Sequence, residues 1–87
     1  MKLPGQELVE AGVEDLRRGE ETIEALLVSI GASRLRAVGI DVPVPLASAE
    51  IRLYEALQQE HGDDAHGRYN ALVRRLVSFE RAAECAS

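Results

Sequence analysis

The chemically richest stretch of the sequence is QEHGDDAHGRYN, residues 59–70. Within seven positions it places five side chains that can bind a metal ion or transfer a proton: Glu60, His61, Asp63, Asp64 and His66. A zinc site needs three or four ligands that converge on one point, and crowding along the chain does not supply that convergence. Two interpretations therefore compete, a metal site and a joint between two helices.

Nearly every residue of this stretch suits a helix end. His61 fits a helix C-terminus, where the helix dipole favours a positive side chain, and Gly62 fits the position that follows. Asp63 is predicted to cap the next helix, with Asp64 in its first turn, where negative charge is stabilising. His66 alone has no such role. The sequence therefore favours the joint, and we predict neither a metal ion nor a cofactor.

Hydrophobic periodicity predicts helices on both sides of this joint and along most of the chain. The predicted helices cover residues 6–18, 22–30, 34–38, 48–61 and 64–86. Predicted N-caps are Thr22, Ser33 and Ser48, and predicted helix ends are Gly19, Gly31 and Gly39. Residues 40–47 hold Pro43 and Pro45, which remove backbone donors and favour extended conformations, so they are predicted to form a stiff connector.

The residues predicted to face the core share one helical face in each segment or lie in the connector. They are Leu8, Val9, Gly12, Val13, Leu16, Ile23, Leu26, Leu27, Ile30, Leu35, Val38, Ile40, Val42, Leu46, Leu53, Tyr54, Leu57, Ala65, Tyr69, Leu72, Val73, Leu76, Phe79 and Ala83. The last predicted helix would span roughly 33 Å at 1.5 Å per residue. We therefore expect it to be the platform on which the other helices pack.

Composition agrees with an all-α class. The chain has 87 residues, 46% of them apolar and only three aromatic, and the apolar residues are mainly leucine, alanine and valine. Leucine and alanine favour helix over strand. We predict a single domain, residues 1–87, folded as a small bundle of four main helices with a short extra helical turn and a long C-terminal helix.

Cysteine usage and hydropathy bear on the cellular compartment. One cysteine, Cys85, excludes an internal disulfide and fits a reducing environment. Neither the apolar stretch of a secretory signal nor a run long enough to span a membrane is present. We expect a cytoplasmic protein, of bacterial origin, that does not enter a membrane.

Charge argues against a polyanionic partner. Ten basic and fifteen acidic residues give a net charge of −5, which repels nucleic acid and anionic membranes. The charge is uneven, because residues 1–24 carry three basic and seven acidic groups, whereas residues 66–87 carry four and two. This asymmetry favours a protein partner over nucleic acid.

Residues 22–40, TIEALLVSIGASRLRAVGI, form a helix, a glycine-containing turn and a short helix in this interpretation. The pattern resembles the helix-turn-helix motif of DNA-binding proteins, with Gly31 in the turn and Arg34 and Arg36 facing DNA. It departs from that motif at Leu27, where a small residue would let the two helices cross. The resemblance implies a DNA-binding regulator as the alternative function.

Four arginines lie on the last predicted helix: Arg68, Arg74, Arg75 and Arg81. At 100° per residue, Arg74 and Arg81 project together away from the apolar face, while Arg68 and Arg75 flank it. They form either a solvated face or a docking surface, since arginine pairs bidentately with carboxylates and is enriched at interfaces. We assign them as candidate partner-binding residues.

The same helix predicts self-association. Ala71, Val77 and Ala82 lie outside its apolar face and add surface that a short bundle would leave uncovered. A two-fold dimer is the commonest way to bury such surface. We therefore expect a homodimer, with Arg74 and Arg81 at the interface edge, facing the acidic first helix of the other copy.

Catalytic signals are weak. Cys85 lies on a segment expected to fray, and Ser29, Ser33, Ser48 and Ser78 have no evident base beside them. No glycine-rich phosphate loop is present, and no small-molecule substrate is implied. We expect a non-catalytic protein-protein interaction or regulatory module, whose partner is itself or another protein.

Overall fold

The computed structural model describes residues 3–86, and these residues contain helices and turns but no β-strand. The α-helices are α1 Gln6–Arg17, α2 Ile23–Ile30, α3 Ala32–Ala37, α4 Ala49–His61 and α5 Ala65–Ala86, and a 3-10 helix, Gly62–Asp64, joins the last two. The predicted all-α fold with a long C-terminal helix is confirmed. Each predicted helix end lies within two residues of the observed one.

The core contains every residue that the periodicity placed there. Each is either buried or packs, partly buried, against the buried cluster. The structure adds four small or medium apolar residues that the pattern omitted: Ala25, Val28, Ala32 and Ala49. Helical periodicity therefore identified the core faces correctly, and two of the four omissions lie on α2.

Helix α2 is the centre of the bundle. Its residues 25–29 are five consecutive buried positions, and the helix contacts α1, α3, α4 and α5. The expectation that the long C-terminal helix is the platform is therefore wrong. A helix that is apolar on most sides, as IEALLVSI is, belongs in the interior, whereas α5 keeps one polar side in solvent.

Helices α1 and α2 pack closely at Gly12. A Cβ atom at this position would meet the carbonyl oxygen of Glu24 and the side chain of Val28, so only glycine fits. Thr22 fixes the same pair of helices, because its hydroxyl accepts from the Ala25 amide at 3.0 Å and donates to the Asp15 carboxylate at 2.6 Å. The predicted Thr22 cap is thus confirmed, and it also ties α2 to α1.

The proline-containing connector is attached to the bundle at two points. The Ser29 hydroxyl donates to the Ala25 carbonyl at 2.8 Å and accepts from the Leu46 amide at 2.9 Å. Nearer the start, the Arg36 guanidinium donates to the carbonyl oxygens of Val42 and Pro43 at 3.0 and 3.1 Å. The connector therefore lies across the core, as its apolar residues predicted.

Three predicted caps need correction. Ser33 lies inside α3, because α3 begins directly after Gly31 without an intervening turn. Ser48 does occupy the N-cap position of α4, but with φ of 52° its side chain makes no capping hydrogen bond. Asp63 lies within the 3-10 helix rather than at an α-helix N-cap, so its predicted capping role is wrong.

Candidate functional site

Residues 59–70 contain the joint between α4 and α5, as the helix-end pattern predicted. Helix α4 ends at His61, and Gly62 follows with φ of 56°, a conformation that favours glycine. The 3-10 helix then leads into Ala65, which is buried and opens α5. The local crowding of ionisable residues is a consequence of two helix ends meeting.

The ionisable side chains of this joint do not surround a common point. His61 lies 3.7 Å from the Glu60 carboxylate, whereas the His66 ring lies 3.3 Å from the Asn70 amide. Across residues 3–86, no three His, Cys, Asp or Glu side chains are grouped so that they could hold a metal ion. Stability of the protein without metal remains a prediction.

All four candidate partner-binding arginines are exposed on α5. Within the described part of the chain, none of their guanidinium groups makes an ion pair or a hydrogen bond. Arg68 and Arg75 border a groove of about 300 Å³, whereas Arg74 and Arg81 are not part of it. We call this the smaller groove. Besides the two arginines, it is lined by Ile23, Leu57, His61, Ala71 and Leu72.

The segment that resembles a helix-turn-helix motif is built differently from that motif. A single residue, Gly31, separates α2 from α3, whereas the motif has a turn of about three or four residues. Helix α3 has six residues, and Arg36 is engaged with the connector carbonyls. Arg34 is exposed. These contacts give Arg36 a structural role. Few residues of α3 then remain that could enter a groove of DNA.

A groove of about 690 Å³ lies between α1, residues 38–41 and the C-terminal part of α5. We call it the acidic groove, because most of the charged side chains described in its lining are carboxylates. Its floor consists of apolar side chains that are buried or half-buried, namely Leu3, Val9, Val13, Val38, Ile40, Phe79 and Ala83. Sequence analysis identified all of these residues except Leu3 as core, but not as the floor of a surface feature.

Helix α1 forms one whole side of the acidic groove. Gln6, Val9, Glu10, Val13, Glu14 and Arg17 line it at steps of three and four residues, which places them along one side of the helix. The start of α1 lies close to α5 because Gly5, with φ of 75°, packs against the Arg75 carbonyl and the Phe79 Cβ. Gly5 therefore positions the start of this wall against α5, and Gly12 positions its middle against α2.

The rim of the groove is predominantly acidic. Glu10 on α1 and Asp41 at the start of the connector are exposed, and neither has an ion-pair partner among residues 3–86. Glu14 is paired, at 3.2 Å with Arg18 and at 3.9 Å with Arg17. The groove therefore presents two uncompensated carboxylates, one on α1 and one on the 38–41 segment, above an apolar floor.

A buried carboxylate, which sequence analysis missed, lies on α5 against Gly31, where α2 meets α3. Glu80 is 5% exposed, and its Oε2 atom has no hydrogen-bond partner within the described residues. Burial raises the pKa of Glu80, an effect that the Arg34 guanidinium partly offsets. The signal was present, since Glu80 follows Leu76 by four residues and precedes Ala83 by three, on the buried face of the helix.

Two large apolar side chains are exposed elsewhere. Val44 in the connector is 86% exposed, and Ile51 on α4 is 66% exposed. Ile51 lies beside Tyr54 and Tyr69, whose ring centroids are 5.9 Å apart. This surface is open and shallow, and single exposed apolar residues are common on protein surfaces.

Comparison with protein families, with curated protein sequences and with solved structures found no match. Within residues 3–86, no helix is both long and apolar enough to cross a membrane.

Proposed function

We propose that this chain is a small, non-catalytic protein-interaction module of the cytoplasm that binds a helix of another protein in the acidic groove. The observation that supports this proposal is the groove itself, an open apolar channel of about 690 Å³ bordered by polar side chains. Apolar floors with polar rims are the usual anatomy of interaction sites.

The length of the groove favours a helical ligand. The lining residues of α1 run from Gln6 to Arg17, which corresponds to roughly 17 Å at 1.5 Å per residue. A ligand helix of about three turns has this length and offers apolar anchors at positions i, i+3, i+4 and i+7. A compact small molecule would leave much of such a channel open to water.

Self-association is a second candidate function, supported by a different observation. Arg68 and Arg75 border the smaller groove, whose floor includes Ile23, Leu57 and Leu72, and their charges are not compensated within residues 3–86. The chain as a whole carries a net charge of −5, so another copy offers many carboxylates to these arginines. A homodimer through this face of α5 would leave the acidic groove free.

The docking proposal is tested by titrating a neutral helical peptide into the isotope-labelled protein. The probe is a peptide of about 14 residues with leucine at i, i+3, i+4 and i+7 and glutamine elsewhere, and amide chemical shifts are recorded. We expect saturable shifts at Val13 and Ile40, in the acidic groove, with Leu57 and Leu72 serving as internal controls. Shifts confined to the two controls, or no saturable shifts, would contradict the proposal.

A further inference from the structure

We infer that the helix bound by the acidic groove is basic, with lysine or arginine side chains along both edges of its apolar stripe. This inference rests on the proposed function and specifies the chemistry of the partner. It follows from the two carboxylates on the rim and from their placement on separate walls of the groove.

The first wall contributes Glu10. This residue follows Val9 and precedes Val13 by three positions, so its carboxylate lies at the edge of the apolar floor. It is exposed and has no ion-pair partner within residues 3–86. An ammonium or guanidinium group of a bound helix would find an unpaired carboxylate there.

The second wall contributes Asp41. It follows Ile40, a half-buried residue of the groove lining, and it is likewise exposed and unpaired among the described residues. A helix between the two walls therefore has a carboxylate on either side. Only a ligand with positive charge on both edges of its apolar stripe satisfies the two at once.

Arg17, the single cation among the lining residues that the structure describes, does not cancel this charge. Its guanidinium lies 3.9 Å from the Glu14 carboxylate, which is also 3.2 Å from Arg18. The positive groups of the rim are thus concentrated around Glu14 at the C-terminal end of α1. Glu10 and Asp41 remain as the charges that a ligand meets along the rest of the groove.

The test compares three peptides that share the leucine stripe of the neutral probe and differ only in the flanking residues, which are lysine, glutamine or glutamate. Kd is measured by fluorescence anisotropy with the full chain at low and high salt. We expect the lysine peptide to bind about tenfold more tightly than the glutamate peptide, with a smaller ratio at high salt.

Charge-reversal variants locate the effect. Glu10→Lys and Asp41→Lys should each reduce the ratio of the two affinities several-fold. Glu55→Lys is the matched control, since Glu55 is an exposed helical carboxylate outside the groove, and it should leave the ratio near that of the parent. These three side chains make no hydrogen bonds within residues 3–86, so the variants should fold.

The possible outcomes distinguish a failure of the basic-partner inference from a failure of the docking proposal. If all three peptides bind the groove with equal affinity, the groove docks helices but the basic partner is wrong. If none produces saturable shifts at Val13 and Ile40, the docking proposal itself fails. If Glu10→Lys instead abolishes self-association of the chain alone, the occupant is a second copy, which also overturns the inference.

Discussion

The two grooves of this protein have similar floors and opposite rims. The acidic groove has Val9, Val13 and Phe79 beneath Glu10 and Asp41, whereas the smaller groove has Leu57 and Leu72 beneath Arg68 and Arg75. Apolar floors supply contact area to many ligands and discriminate little among them. The rims differ in sign, and electrostatic complementarity is what selects partners and speeds their encounter.

Helix α5 links the two grooves, since Arg68 and Arg75 belong to its first half and Phe79 and Ala83 to its second. The larger groove also needs α1, whereas the smaller one is lined by α2, α4 and α5. This difference makes the grooves separable by mutation. The following predictions use that separation, beginning with the largest expected effect.

The largest effect is expected in α1, which lines the acidic groove but not the smaller groove. Gly12→Ala should lower the free energy of unfolding by about 1–3 kcal/mol, because the added methyl group meets the Glu24 carbonyl and Val28. The control is Gly67→Ala, in α5, where an added Cβ has open space and should stabilise by ~0.5–1 kcal/mol. Urea unfolding measures both, and two changes of the same sign would contradict the α1–α2 packing.

The buried carboxylate of Glu80, against Gly31, is expected to have the next largest effect. Glu80→Gln should raise the free energy of unfolding at pH 7 by about 1 kcal/mol, since it removes a buried charge that lacks a full set of partners. Thermal unfolding across pH measures the change. Glu10→Gln, at an exposed position, is the control and should have almost no effect.

The sign of the pH dependence follows from the raised pKa of Glu80. Because the pKa is higher in the folded state, the stability that this carboxyl contributes is fully present below its unfolded pKa. It is lost as the pH rises through the folded pKa. The advantage of Glu80→Gln should therefore shrink toward acidic pH, and a constant advantage from pH 3 to pH 8 would show that charge is not the cause.

Self-association tests the smaller groove. The double variant Arg68→Glu with Arg75→Glu should weaken the homodimer several-fold, whereas Arg74→Glu with Arg81→Glu, of equal charge change, should weaken it less. Light scattering at tens of micromolar measures the mass. A mass of 9.5 kDa for the parent, unchanged by concentration, would end the homodimer proposal.

The smallest effect is expected at the joint that borders the smaller groove through His61. Asp63→Ala should change the free energy of unfolding by less than about 0.5 kcal/mol, because the side chain lies in a 3-10 turn and makes no capping hydrogen bond. A chelator should leave the melting temperature unchanged. A fall of many degrees, or stoichiometric metal in the purified protein, would restore the metal-site interpretation.

Local patterns predicted most of the fold and little of the acidic groove. Spacing and caps identified the helices because these signals act within a turn or two, as Thr22 and its Ala25 amide illustrate. The groove depends on residues 38–41 lying opposite α1, a contact between segments more than twenty residues apart. No local signal encodes that proximity, so sequence analysis did not single out Glu10 or Asp41.

The errors had local causes too. The cap assigned to Ser33 assumed a turn after α2, but the chain enters α3 directly from Gly31, whose missing side chain leaves room for Glu80 and Leu76. Asp63 was assigned from the general preference of helix starts, and the 3-10 helix took its place. In both cases the residue type is common at helix ends, but the predicted position of the helix end was wrong.

The two attachments of the connector would reduce the entropy that is lost when the proposed complex forms. Arg36 holds the carbonyls of Val42 and Pro43, and Ser29 holds the amide of Leu46, so the wall that carries Asp41 is in place before any partner arrives. A preorganised wall avoids most of the loop-ordering entropy that association otherwise loses. Arg36, which the helix-turn-helix resemblance placed against DNA, would then favour partner binding indirectly, because it keeps the unbound protein close to its bound conformation.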